Sequence, residues 1–367
     1  MISSAKTLTV APNVPHFTGN SCLWVRTAAG PHIGFGHLRR SIILAQSLLD
    51  CCQPLFLIDS NDRWSPEQLE SRGIECICEM LPEILSRLPP PTAILIDTCL
   101  PGGVDGLITY ARIRKIPVIS IHDLGINPLA SDIAVDGSIA PFIHYSSYKP
   151  GRTYRGSRYM ILDPVYDIHH RQEKHIAREI GSILVNLGGG NARRYFLRIL
   201  EGLRLWNRKL KVIGVPGFSS WGQKDLSERD WNPVNFHWEK EAIGQHLVQA
   251  DLAVTAGGLA AYEALCVGTP LLALSYDHLQ RTTVRALASA NACVDLGPGD
   301  DFNPTHLPDM LSKIESDLQK RKMLSTNGKK IVDGAGAERV SQIIRGLILN
   351  SPATHSQGSW NDSGAYI

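Results

Sequence analysis

Long apolar runs are missing from this 367-residue sequence, and none approaches the roughly 18 apolar residues that a membrane-spanning helix requires. A dominant charge is missing as well. The 37 Lys and Arg nearly cancel the 35 Asp and Glu, for a formal net charge of +2, and no basic tract carries interleaved aromatics. That excludes the electrostatic footprint of a nucleic-acid-binding face, so no polyanionic partner is expected. Metal-type cysteine spacing is also absent. Cys22, Cys51, Cys52, Cys76, Cys78, Cys99, Cys266 and Cys293 are scattered. Cys76 and Cys78 share a strand face, but no second ligand pair stands at zinc-site spacing from them. Five of the eight lie in or beside strand-like apolar runs, so the set reads as mostly reduced, buried thiols of a cytoplasmic protein. Residues 1–21 lack both a signal-peptide core and an arginine-rich amphipathic pattern, and are expected to form a flexible extension.

What is present is a chain 43% hydrophobic and 20% charged, long enough for two buried cores. The first is expected over residues 22–165. CLWV (22–25), PLFLID (54–59), IECI (74–77), AILID (93–97), PVISIHD (117–123) and DIAVD (132–136) are short strand patterns, separated by helical patterns such as SIILAQSLL and VDGLITYARIRK. Such alternation marks a parallel sheet covered on both faces, with its binding crevice at the carboxyl ends of the strands. Asp59, Asp97 and Asp123 stand at those ends. YMILDPVY (159–166) reads as a further strand, and residues 166–180 as a polar, solvated linker.

The stretch RTAAGPHIGFGHLRR (26–40) joins the first strand to the first helix. Its Gly34 and Gly36 let the backbone turn tightly and let a ligand approach closely. The amides of the helix that follows make a natural phosphate site, so His37, Arg39 and Arg40 stand where chemistry on an anionic ligand would be done. The spacing is GxGxxR, which fits a dinucleotide fingerprint poorly. Residues 181–349 repeat the device. SILVNL runs into Gly188, Gly189, Gly190 and Asn191, and DLAVTAGG runs into Gly257 and Gly258 ahead of a helix, LAAYEALCVG. TPLLALSYDHLQ reads as a strand with a polar loop, and TTVRALASANA as the helix after it. The Ser/Gly/Asn-rich tail, residues 350–367, is expected to be disordered. The expected fold class is α/β, with two facing doubly wound Rossmann-like domains. Glycine loops at 30–36, 188–191 and 255–258 would converge on the cleft between them.

In this order the segments resemble the GT-B superfamily of nucleotide-sugar enzymes. IGFGHLRR (33–40), AILID (93–97), ISIHDL (119–124), YMILDPVY (159–166), ILVNLGGGN (183–191) and ADLAVTAGGLAAYEALCVGTPLLAL (250–274) carry the likeness. Within the superfamily the chain is similar to the spore-coat polysaccharide SpsG group and the pseudaminic-acid-pathway hydrolase PseG, and more remotely to MurG. The resemblance implies a glycosyltransferase that passes a sugar from a nucleoside-diphosphate sugar, UDP-linked, to a small or glycan acceptor. A hydrolase that uses water in place of the acceptor is the alternative.

The resemblance also assigns roles. His37 corresponds to the catalytic histidine, a general base whose ordinary pKa suits proton transfer near neutrality. Glu263 corresponds to the glutamate that holds the ribose, and the amides around Gly257 and Gly258 face the diphosphate. Phe236, with Trp238, falls near the uracil. Gln280 matches a glutamine that reaches toward sugar or phosphate. Leu279 stands where the hydrolases carry asparagine, which leaves the substrate open. His278 is either a second catalytic imidazole or an ordinary polar loop residue. Asp123 either orients an imidazole, holds a sugar hydroxyl or caps its loop. Gly34, Gly36, Arg40, Gly189, Gly190 and Asn191 complete the expected substrate loops. No cofactor and no metal are expected, because no DxD-like acidic pair ends a strand and helix-terminal amides can neutralise a diphosphate.

Overall fold

The computed structural model describes residues 21–59, 61–78, 82–99, 104–124, 129–140, 151–190, 192–215, 231–239 and 243–349. The expectations for residues 1–20 and 350–367, and for Asn191, lie outside them. Two parallel sheets organise the chain. The first contains β1 (Cys22–Thr27), β2 (Gln53–Leu57), β3 (Cys76–Ile77), β4 (Ala93–Asp97), β5 (Val118–His122), β6 (Ile133–Asp136) and β7 (Arg152–Arg155), in the order β3-β2-β1-β4-β5-β6-β7. The second contains β8 (Ser182–Asn186), β9 (Leu210–Gly214), β10 (Val234–Trp238), β11 (Leu252–Ala256), β12 (Leu271–Ser275) and β13 (Val294–Pro298), in the order β10-β9-β8-β11-β12-β13. Strand order reverses between β1 and β4 in one sheet and between β8 and β11 in the other. Crevices at such reversals are where ligands bind in doubly wound sheets.

Continuous apolar strands form because both faces of each sheet are covered. Leu23 and Val25 enter the core on one face of the first sheet and Trp24 the core on the other, as the two-residue period of a strand demands. Ile183 and Val185 alternate with Leu184 in the same way in the second.

Four local expectations are corrected. YMILDPVY is not a strand. Met160 and Leu162 enter the core of the second sheet and Ile161 that of the first, so its apolar character comes from plugging the seam between domains. The sheet's seventh strand is instead RTYR, an edge strand whose exposed, charged residues carry no apolar alternation. The 166–180 connection is solvated only in part, with most of residues 171–179 exposed. Its first part belongs to the helix Val165–His170, which buries Tyr166 against the helices Ile243–Gln249 and Leu259–Val267. Further on, Lys174 Nζ donates to the Ala250 carbonyl at 2.6 Å, and the buried Arg321 donates to that of Arg178 at 2.6 Å. The last helix, Gly336–Leu349, does not belong to the second domain. Ala337, Val340, Ile344 and Ile348 form one helical face that packs into the core of the first sheet. Arg345 pairs there with Asp50 at 2.7 Å. Finally, the helix after β12 spans His278–Ser289 and so begins before Thr282, because Asp277 caps it by accepting from the Gln280 amide at 2.7 Å.

Candidate active site

The first wall of the site is built by the loop between β1 and the helix Gly36–Gln46. Gly34 takes the left-handed conformation, φ +81°, and its amide closes the turn onto the Gly30 carbonyl at 2.6 Å. The turn delivers His37 and Arg40, one helical turn apart, to one face of the new helix. Asp97, the last residue of β4, lies on the neighbouring strand at the order reversal. His37 Nδ1 is 2.7 Å from Asp97 Oδ1. Arg40 donates to both carboxylate oxygens of Asp97, Nε at 3.1 Å and Nη2 at 2.7 Å, and its Nη1 donates to Asp123 at 2.7 Å.

Asp97 is fully buried. Burial pushes its carboxyl up, but Arg40 and His37 outweigh that and hold it below the usual carboxylate range. The imidazole of His37 is pushed down by burial and by Arg40, yet Asp97 and a hydrogen bond with Cys99 bring it up to about 9. The expectation of an ordinary histidine pKa is therefore corrected, and the cause is the Asp97 charge. Asp123 does not orient the imidazole; Asp97 does. Asp123, on the cleft rim, is held low by Arg40 despite burial. Of the three strand-end acids, Asp59 stands apart, paired with the buried Arg26 at 2.6 Å.

The second wall comes from the loops after β8, β11 and β12. Gly189 sits where a Cβ would be 2.8 Å from the Phe35 amide nitrogen, so this glycine lets the two walls touch. Gly257 serves packing. A Cβ there would meet the Gln280 carbonyl oxygen at 2.6 Å. Gly258 is the N-cap of the helix Leu259–Val267, has open space at its Cβ position, and brings no side-chain cap to the helix amides. Gln280 Oε1 accepts from the Tyr276 amide at 3.2 Å, holding the β12 loop closed.

Between the walls lies a cleft of about 380 Å³. It is lined by Gly34, Gly36, His37, Arg39, Arg40 and Asp123 from one side, and by Gly189, Gly190, Gly257, Gly258, Glu263 and Gln280 from the other. Two expected residues stand off it. His278 is exposed on the first turn of its helix. Phe236 lies on the outermost strand β10, packed on Phe196 at 6.1 Å and Trp238 at 5.0 Å between ring centroids. Glu263, by contrast, is only 2% exposed and faces Arg39 of the opposite wall at 2.7 Å. Burial raises its carboxyl, and Arg39 and Tyr166 partly reverse the effect.

Asp97 and Arg39 were visible in the sequence, one as a strand-end acid and one in the glycine loop, but neither signalled its partner. Among the described residues no group of three or more His, Cys, Asp or Glu is placed to hold a metal.

No protein-family model matches the chain. Over 223 residues it is 30% identical to the spore coat polysaccharide biosynthesis protein SpsG of Bacillus subtilis (strain 168), covering 59% of this chain and 65% of that protein, just under two thirds of its length. MurG of Acinetobacter baumannii superposes with a TM-score of 0.62 at 14% identity, over 89% of this chain and 99% of that one. The fold is GT-B. Another protein that superposes on it, Alr3699/HepE of Anabaena, was solved in complex with UDP-glucose (TM-score 0.54, 13% identity, 88% and 99% covered). The cleft described above lies between the two sheets that define the GT-B arrangement, with the order reversal of each sheet contributing to it.

Proposed function

We propose that the chain is a cytoplasmic glycosyltransferase that moves a sugar from a UDP-linked donor to a small or glycan acceptor, with His37 as general base. The observation that carries this reading is the His37–Asp97 pair, facing the uncapped start of the Leu259–Val267 helix across the cleft. Nδ1 lies 2.7 Å from Asp97 Oδ1 and 3.0 Å from Arg40 Nη2; in this reading it donates its proton to the carboxylate, which makes Nε2 the basic nitrogen. The acceptor hydroxyl loses its proton to Nε2 as its oxygen bonds to the anomeric carbon, and the bond from that carbon to the diphosphate breaks. Asp97 stabilises the imidazolium that forms. Charge growing on the leaving diphosphate meets the helix amides after Gly258, which stabilise the transition state more than the ground state. Glu263 accepts from the ribose hydroxyls. The GT-B fold, the likeness to SpsG and the UDP-glucose in HepE support the donor class. No described helix is long and apolar enough to cross a membrane.

The test is a panel of nucleotide sugars, following free nucleoside diphosphate with and without candidate acceptors in excess chelator. Acceptor-dependent UDP release at undiminished rate is expected. Full release without an acceptor would assign water as the nucleophile and make the protein a hydrolase. Loss of activity that magnesium or manganese restores would overturn the metal-free reading. Glu263→Ala is expected to weaken UDP binding by about 1–3 kcal/mol, the worth of a charged acceptor. An unchanged dissociation constant in calorimetry would remove Glu263 from the nucleotide site.

A further inference from the structure

Among the described residues, Arg39–Glu263 is the ion pair that joins the two walls of the cleft. Its partners are unequal. The Glu263 side chain is 2% exposed, fixed on the second domain's helix, whereas that of Arg39 is 42% exposed on the first domain's helix. Arg39 comes two residues after His37, roughly 200° around the helix, which separates it from the Asp97-facing pair of His37 and Arg40. The contact at 2.7 Å compensates the buried carboxylate, and Tyr166 assists from its own side. Ribose hydroxyls offer that carboxylate O–H donors that can take the place of the guanidinium. Glu263 lies five residues beyond Gly258 on the same helix, a rise of about 7.5 Å. A nucleotide with its diphosphate at the helix start and its ribose at Glu263 therefore lies along the path of the Arg39 side chain.

We infer that the Arg39–Glu263 pair is an interdomain latch that the nucleotide opens. Ribose hydroxyls take Glu263, and the released guanidinium turns onto the diphosphate. Arg39 thus competes with the nucleoside part of the ligand and assists the phosphate part. This inference rests on the nucleotide-sugar reading and is tested so that the two can fail separately.

The experiment measures uridine and UDP binding to wild type and Arg39→Ala by calorimetry, with Arg39→Lys as a variant that keeps the charge without the planar fork. Removing the competitor is expected to tighten uridine about three- to five-fold, the range of a partly exposed ion pair. Removing the phosphate partner is expected to weaken UDP about ten-fold or more. Arg39→Lys should fall between wild type and Arg39→Ala for both ligands. Opposite signs for the two ligands are the signature of the latch. A change of the same sign for both, or none for either, would overturn it while leaving the nucleotide site intact. Wild type that binds neither ligand would overturn the nucleotide reading and the latch with it.

Discussion

His37→Ala is expected to lower turnover about 10²–10⁴-fold, the usual worth of a positioned proton acceptor, while leaving UDP affinity close to that of wild type. The two effects separate because the nucleotide is assigned to the second domain and the imidazole stands on the first. His37→Gln is the sharper probe, since its amide keeps polarity but cannot take the proton. The wild-type pH profile should carry the same signature. Asp97 raises the imidazole to about 9, so the competent neutral form is scarce below that pH, about one molecule in a hundred at pH 7. A base must be deprotonated to act, so kcat/KM should climb with pH through an inflection near 9 and level off above it. An unchanged melting temperature with near-wild-type turnover in His37→Ala would assign the proton transfer elsewhere. A profile flat from pH 6 to 9 would do the same.

Asp97→Asn is expected to cost turnover a similar about 10²–10⁴-fold, by a different route. The amide cannot stabilise an imidazolium and can present its NH₂ to Nδ1, favouring the wrong tautomer. Without the carboxylate, burial and Arg40 act on His37 unopposed by its main partner, so the imidazole pKa should fall. The rising limb of kcat/KM should therefore move to lower pH even as its plateau drops. An NMR titration of the His37 ring gives the same shift independently of activity. Arg40 retains Asp123 at 2.7 Å, which limits damage to the fold. A uniform loss at every pH, with the His37 titration unmoved, would reduce Asp97 to a structural anchor for Arg40.

The sequence alone determined the parts of this protein that depend on near neighbours. AILID and LAVTA, with no polar alternation, had to be strands covered on both faces, and both are fully buried. Glycine loops at strand ends placed His37 and Gly258 at helix starts, because turn chemistry is written within a few residues. The early start of the His278–Ser289 helix was missed, although Asp277 and Gln280 stand at capping spacing. Partners far apart in the chain were decided only by tertiary structure. His37 meets Asp97, 60 residues away, because strand order sets β4 beside β1. Arg39 meets Glu263 because the two domains face each other. The same facing explains why Met160 and Leu162, apolar enough for a strand, fill the seam, and why the last helix returns to the first sheet. Hydrophobic pattern says that a face must be buried, and it does not say against what. His37 shows the consequence for chemistry. Its identity as a titrating group was local, but its pKa was set by a charge that only the fold brings within 2.7 Å.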